Sequence, residues 1–191
     1  YAPVIEEIKD HVKENHVFIS IGAGVTLDYL GKAFGDKNVK LVRVMPNTPA
    51  QVGEGMSAAC PNEFVSEEET KTTLSILSAF GKAEIIPENL FDVVTGISGS
   101  GPAYVFLFIE ALADAAVVGG MPRRQAYEFA AQTVYGAAKM VMETGKHPGE
   151  LKDMVCSPAG TTIAAVRTLE ANNFRSAVIE GANAATEKSA A

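Results

Sequence analysis

The chain has 191 residues, 47% of them hydrophobic, and 16 Lys and Arg against 23 Asp and Glu give it a net charge of -7. That length and apolarity supply one large or two small cores and exclude a disordered chain. The acidic balance, with no basic block, gives no reason to expect nucleic acid as a partner.

The two cysteines, Cys60 and Cys156, sit in no close-spaced thiol or metal pattern, so a reducing, cytoplasmic setting is expected. The most apolar stretch, residues 103–118, carries Glu110 and Asp114 and is shorter than the roughly 20 residues of a membrane span. It reads as a buried helix, and no membrane partner is expected. The first residues have neither a basic start nor a continuous apolar core, unlike a secretory signal. There is no initiating Met, which reads as a chain beginning inside a larger protein.

In chain order, Val4, Ile5, Ile8 and Val12 share one face of a helix ending near Asn15, and residues 16–21 form an apolar strand. Gly22 and Gly24 break that strand. Thr26 or Asp28 then starts a helix carrying Leu27, Leu30 and Phe34, which Gly35 closes. Residues 39–45 make the next strand, stopped by Pro46-Asn47-Thr48-Pro49, and residues 55–60 a further short one. Ser66-Glu67-Glu68-Glu69 has the form of a capping box ahead of Leu74, Leu77 and Phe80. Gly81 ends this helix and residues 82–86 add a strand. The alternation predicts an α/β layer with a mostly parallel sheet.

After Pro87 the strands stop. Helices are predicted at 90–95, 100–119, 123–145 behind Pro122, 149–154, 161–170 and 173–188. The domain boundary falls between residues 86 and 92, giving domains 1–88 and 89–191. Apolar residues such as Phe106, Ile109, Leu112, Val134 and Val141 fit a partner helix from a second copy, with local packing as the alternative.

Three segments are candidates for chemistry. Met45-Pro46-Asn47-Thr48-Pro49-Ala50 puts compact hydrogen-bonding groups at a strand's carboxyl end, where ligands of open α/β sheets gather, although a rigid turn explains it equally well. Ser98-Gly99-Ser100-Gly101-Pro102 is either the capped start of the long helix or a substrate-facing loop. In Cys156-Ser157-Pro158-Ala159-Gly160-Thr161-Thr162, Ser157 is suited to start a helix whose free amides beside Gly160, Thr161 and Thr162 hold a carboxylate. The two threonine hydroxyls cannot face the same way, so at most one contacts a ligand directly. Gly22-Ala23-Gly24 is a strand-to-helix turn, because the third glycine of a dinucleotide fingerprint is replaced by Leu27. His11, His16 and His147 form no ligand pair, no Gly-x-Ser-x-Gly elbow is present, and Cys156 reads as a small semi-buried residue. No metal is expected.

Three blocks in order resemble the pyrroline-5-carboxylate reductase family. They are Arg43-Val44-Met45-Pro46-Asn47-Thr48-Pro49-Ala50 with Gly53-Glu54-Gly55, then Ser98 through Tyr104, then Ser157 through Thr162 followed by Ala164-Ala165-Val166-Arg167-Thr168-Leu169-Glu170. Gly120-Met121-Pro122-Arg123 and His147-Pro148-Gly149-Glu150-Leu151-Lys152-Asp153 add to the likeness.

The resemblance implies an α/β plus all-α protein, with a Rossmann-type NAD(P)-binding domain followed by an all-helical dimerisation and substrate-binding domain. It also implies a truncated Rossmann domain, since the family's glycine-rich loop is not in the chain, and a chain inactive by itself. The implied cofactor is NADP or NAD, flanked at its nicotinamide end by Met45, Asn47, Thr48 and Pro49. The implied substrate is a cyclic imino acid, 1-pyrroline-5-carboxylate. Ser157, Gly160, Thr161 and Thr162 would bind it, and Thr162 and Ser157 would act in catalysis. A homodimer through the helical domain is expected, with a decamer as a larger assembly. Ala159 stands where the family more usually has glycine, which would strain the loop if the position needs positive φ. Another two-domain imine or β-hydroxyacid reductase, or a non-catalytic helical assembly module, remain as alternatives.

Overall fold

The computed structural model describes residues 1–35 and 38–191. The chain forms two compact units, one of Tyr1–Pro102 with Ala182–Ala191 and the other of Ala103–Gly181.

The first unit is built on a four-stranded sheet of order β1-β2-β3-β4, with β1 at Val17–Ser20, β2 at Lys40–Met45, β3 at Gly55–Pro61 and β4 at Gly81–Ile85. Helix α1 spans Ala2–Ile8, α2 Leu27–Ala33 and α3 Glu67–Ser78. The pleat of β2 divides its side chains between two cores. Leu41 joins Ile5, Leu30, Phe34 and Val39 on one face, and Val42 and Val44 join Ala59 and Leu77 on the other.

The sheet is mixed, which corrects the mostly parallel expectation in part. β1 and β2 are parallel, as are β3 and β4, but β3 runs antiparallel to β2. The cause is the short connection after Met45, a 3-10 turn at Thr48–Val52 reversed by Gly53, which cannot make the crossover that a parallel partner needs. At the other end of the sheet, Gly81 opens β4 with φ 149°, and a Cβ there would lie 2.0 Å from the Gly55 carbonyl oxygen. Glycine is required because the two strand starts meet backbone to backbone.

The start of α2 is capped by the Thr26 hydroxyl, which accepts from the Tyr29 amide. That of α3 carries the expected capping box, with Ser66 accepting from the Glu69 amide and Glu69 accepting from the Ser66 amide. The first helix is shorter than its apolar spacing suggested, since the chain passes into a 3-10 turn at Lys9–His11.

Helix α4, Phe91–Val94, follows a 3-10 turn at Glu88–Leu90 and runs through a π-turn at Thr95–Gly99 into α5 at Gly101–Val118. The expected cap at Ser100 is therefore absent. Ser100 keeps right-handed backbone angles, φ -86° and ψ -24°, as the cap of the π-turn, and its amide donates to the Thr95 carbonyl, five residues back. Glu88–Val118 thus forms a 31-residue helical run, long and apolar enough by composition to cross a bilayer. The expectation of a buried helix at 103–118 is also corrected, because Phe106 and Leu107 are 63% and 66% exposed in the isolated chain.

The second unit holds α6 at Arg123–Thr144, α7 at Pro148–Val155 and α8 at Thr161–Ala171, and α9 at Phe174–Ala190 begins in it and ends in the first unit from Ala182 on. Ala113, Ala126 and Ala130 are buried together, so small side chains let α5 and α6 approach closely while Ile109, Leu112 and Met121 seal the contact.

Candidate functional site

The turn after β2 is held by one side chain. Asn47 Oδ1 accepts from the Met56 amide at 2.9 Å, and its Nδ2 donates to the Ser98 carbonyl at 3.1 Å. Two of the three candidate segments, 51 residues apart in the chain, are thereby brought together. Met45, Asn47 and Pro49 are half-buried, whereas Thr48 is exposed and its hydroxyl has no partner among the described residues. The segment 98–102 is neither a loop nor a capped start, but the end of the π-turn and the beginning of α5.

One residue sequence reasoning passed over lies directly beneath. Arg43, 7% exposed, bonds the Glu88 carboxylate at 3.0 Å and rests over the Phe91 ring at 4.5 Å. Glu88 also accepts from the Leu27 amide at 2.8 Å, so it ties α2 to the helical run. The available signal was an arginine inside an otherwise apolar strand. Next to this pair, burial first and then the Glu88 charge push the Cys60 thiol up. A cleft of about 500 Å³ opens beside it, lined by Leu27, Leu41, Cys60, Phe64 and Glu88, and none of its lining residues belongs to the three candidate segments.

In the second unit, α8 begins in a way that leaves its donors free. Its cap is Gly160 and not Ser157, with φ -79° and ψ 172° and no side-chain bond to the helix. Ser157 instead opens a tight turn whose Gly160 amide donates to the Ser157 carbonyl at 3.0 Å. Pro158 occupies the second position and Ala159, at φ 57°, the third, which is the pattern of a type II turn. The Ser157 hydroxyl leans over Gly160, where an added Cβ would lie 2.2 Å from Ser157 Oγ. Glycine at 160 is thus what permits this serine position. Thr162 is half-buried and Thr161 exposed, as their separation on a helix demands. Neither hydroxyl, nor that of Ser157, has a partner among the described residues.

The first-turn amides of α8 lack intrahelical acceptors and lie at the positive end of the helix. With the Ser157 hydroxyl and one of the two threonine hydroxyls they form a donor set suited to a carboxylate and a neighbouring nitrogen. Among the described residues, no cluster of His, Cys, Asp and Glu has the makings of a metal centre.

An α/β layer with a polar turn at a strand's carboxyl end, followed by a helical unit with a carboxylate-type donor set, is the plan of the two-domain nicotinamide-dependent oxidoreductases. The family model for pyrroline-5-carboxylate reductase dimerisation matches residues 88–191. The chain belongs to the pyrroline-5-carboxylate reductase family.

It is 58% identical to the pyrroline-5-carboxylate reductase of Escherichia coli over 186 residues, covering 97% of this chain and 69% of that one. Against the enzyme of Methanosarcina acetivorans it is 48% identical, covering 97% and 68%. Among solved structures, the pyrroline-5-carboxylate reductase of Coxiella burnetii superposes with a TM-score of 0.93 at 37% identity, over 98% of this chain and 70% of that one. The Plasmodium falciparum pyrroline carboxylate reductase with NADP bound gives 0.89 at 38%, over 98% and 75%.

These likenesses correct the expectation of a family fragment with a truncated Rossmann domain. The match runs along 97–98% of the chain, and a Rossmann-like α/β domain and a helical dimerisation domain are present over nearly its whole length. Dimerisation through the helical domain also accounts for the exposed apolar side chains of α5.

Proposed function

We infer that this chain works as a pyrroline-5-carboxylate reductase, an NAD(P)H-dependent oxidoreductase that reduces the C=N bond of 1-pyrroline-5-carboxylate to give L-proline, the last step of proline biosynthesis. The observation that carries the reading is the start of α8, where the free first-turn amides lie beside the Ser157 turn and the half-buried Thr162, in a chain matched along 97% of its length by an enzyme of this family. When bound, the nicotinamide cofactor supplies the hydride. Met45, Asn47, Thr48 and Pro49 fit its nicotinamide end, because the turn offers the free Thr48 hydroxyl and a backbone stiffened by two prolines. The protein's own part is alignment, not nucleophilic chemistry.

Ser157 and the free Thr161 amide hold the substrate carboxylate, with Gly160 letting it approach the backbone closely. The Thr162 hydroxyl bonds the ring nitrogen and relays a proton to it, so that the imine is reduced in its protonated, more electrophilic form. The assignment of residues 1–88 to the cofactor and of 89–191 to dimerisation and substrate belongs to the same reading, as do a decameric assembly and a cytoplasmic location. Replacing Thr162 by Ala is expected to lower kcat roughly tenfold or more while leaving the assembled mass unchanged. Unchanged steady-state kinetics would remove the hydroxyl from the reaction.

A further inference from the structure

Residues at alternate positions along β2 share one face of the sheet. Leu41, Arg43 and Met45 share one face of β2, and Asn47, in extended backbone just past the strand's end, follows them in the same alternation. The last three meet the helical run from Glu88 to Gly99. Arg43 holds Glu88 and Phe91, Met45 lies against Gly99, where its Cε is 2.9 Å from the position of an added Cβ, and Asn47 holds the Ser98 carbonyl. The strand therefore indexes the helical run at both ends, with a buried cation at one and an amide at the other.

The π-turn makes the second contact possible. Its wider winding takes backbone carbonyls out of the i to i+4 ladder, and Ser98 O is the one Asn47 engages. The same amide fixes the start of β3 through Met56, so one side chain joins three segments: the polar turn, strand β3 and the π-turn.

From this we infer that Asn47 is a positioning residue, locking the polar turn after β2 to the π-turn that leads into α5, and not a direct ligand of the cofactor through its side chain. The proposal rests on the reductase reading for its kinetic consequence, but the lock itself is a statement about this chain alone. Both polar atoms of the Asn47 amide are already engaged, and a ligand would have to share them.

The test separates donor from acceptor. Asn47→Asp keeps an oxygen for the Met56 amide and replaces the donor facing Ser98 O by a second acceptor. Asn47→Ala removes both bonds. In the full, assembled protein, hydrogen exchange at the Met56 amide is expected to quicken in Asn47→Ala and to stay near the parent rate in Asn47→Asp. Exchange across residues 95–100 should quicken in both.

With pyrroline-5-carboxylate as substrate, both variants should lose kcat by roughly tenfold or more, while the NADPH dissociation constant moves by less than about threefold. Conversely, weakened NADPH binding with unchanged exchange at residues 95–100 would make Asn47 a direct cofactor ligand and overturn the proposal. If the parent protein shows no turnover of this substrate, the reductase reading fails and the exchange pattern alone decides the lock.

Discussion

Ala159→Gly should stabilise this protein, against the usual direction of a glycine substitution. Ala159 sits at φ 57° in the turn ahead of α8, a conformation that costs an L-residue with a Cβ about 1–2 kcal/mol. Glycine removes that cost but gives the unfolded chain more freedom, worth about 0.4–1 kcal/mol in the opposite sense. Because Ala159 is exposed, no buried contact is lost with its methyl. The net gain is about 0.5–1 kcal/mol, or about 1–4 °C in Tm for a chain of this size. Urea unfolding at fixed protein concentration reads it as a higher midpoint with an unchanged slope.

Asn173 supplies the control. It also has positive φ, 59°, but Asn tolerates that region, so Asn173→Gly should change stability by no more than a few tenths of a kcal/mol. Should Ala159→Gly lower the midpoint by the ordinary cost of glycine, Ala159 is not in the left-handed region and the strain argument fails.

Glu69 is held at about 2, below its ordinary 4.5, first by the bond from Lys40 and then by the Ser66 amide and hydroxyl of the capping box. Its contribution to stability is present above pH 4.5 and is lost as the pH falls from there toward 2, so Glu69→Gln should flatten that acid limb of the stability curve. A limb of unchanged steepness would mean the carboxylate is not paired in solution. Phe106→Ala is expected to loosen the dimer by about tenfold in a dilution series, which corresponds to about 1.4 kcal/mol for removing a large apolar side chain from the interface. Dissociation at the parent concentration would take that face of α5 out of the interface.

The fold was legible where local rules and tertiary packing agree. Short runs between glycine and proline breaks marked the strands, and Ser66 with Glu69 marked the start of α3. The antiparallel return of β3 was not, because it depends on how the chain folds over residues 48–54 and not on periodicity. The same is true of the π-turn. Ser98-Gly99-Ser100-Gly101 has the composition of a loop, yet it stays helical, since Asn47 takes up the Ser98 carbonyl and the Ser100 amide reaches Thr95.

At α8 the polar segment was recognised but its cap was misplaced. Ser157 has the side chain of a cap, but Pro158 and Ala159 turn the chain first and leave Gly160 in that position. The Arg43 and Glu88 pair stayed hidden because its members are 45 residues apart, and only the sheet brings them together.

The reductase reading is best tested by following NADPH oxidation at 340 nm by the full, assembled protein with 1-pyrroline-5-carboxylate, with proline measured as the product. Loss of NADPH matched one to one by new proline, and abolished when the imine is omitted, is the expected result. Folded and assembled protein that binds NADPH yet forms no proline would contradict it.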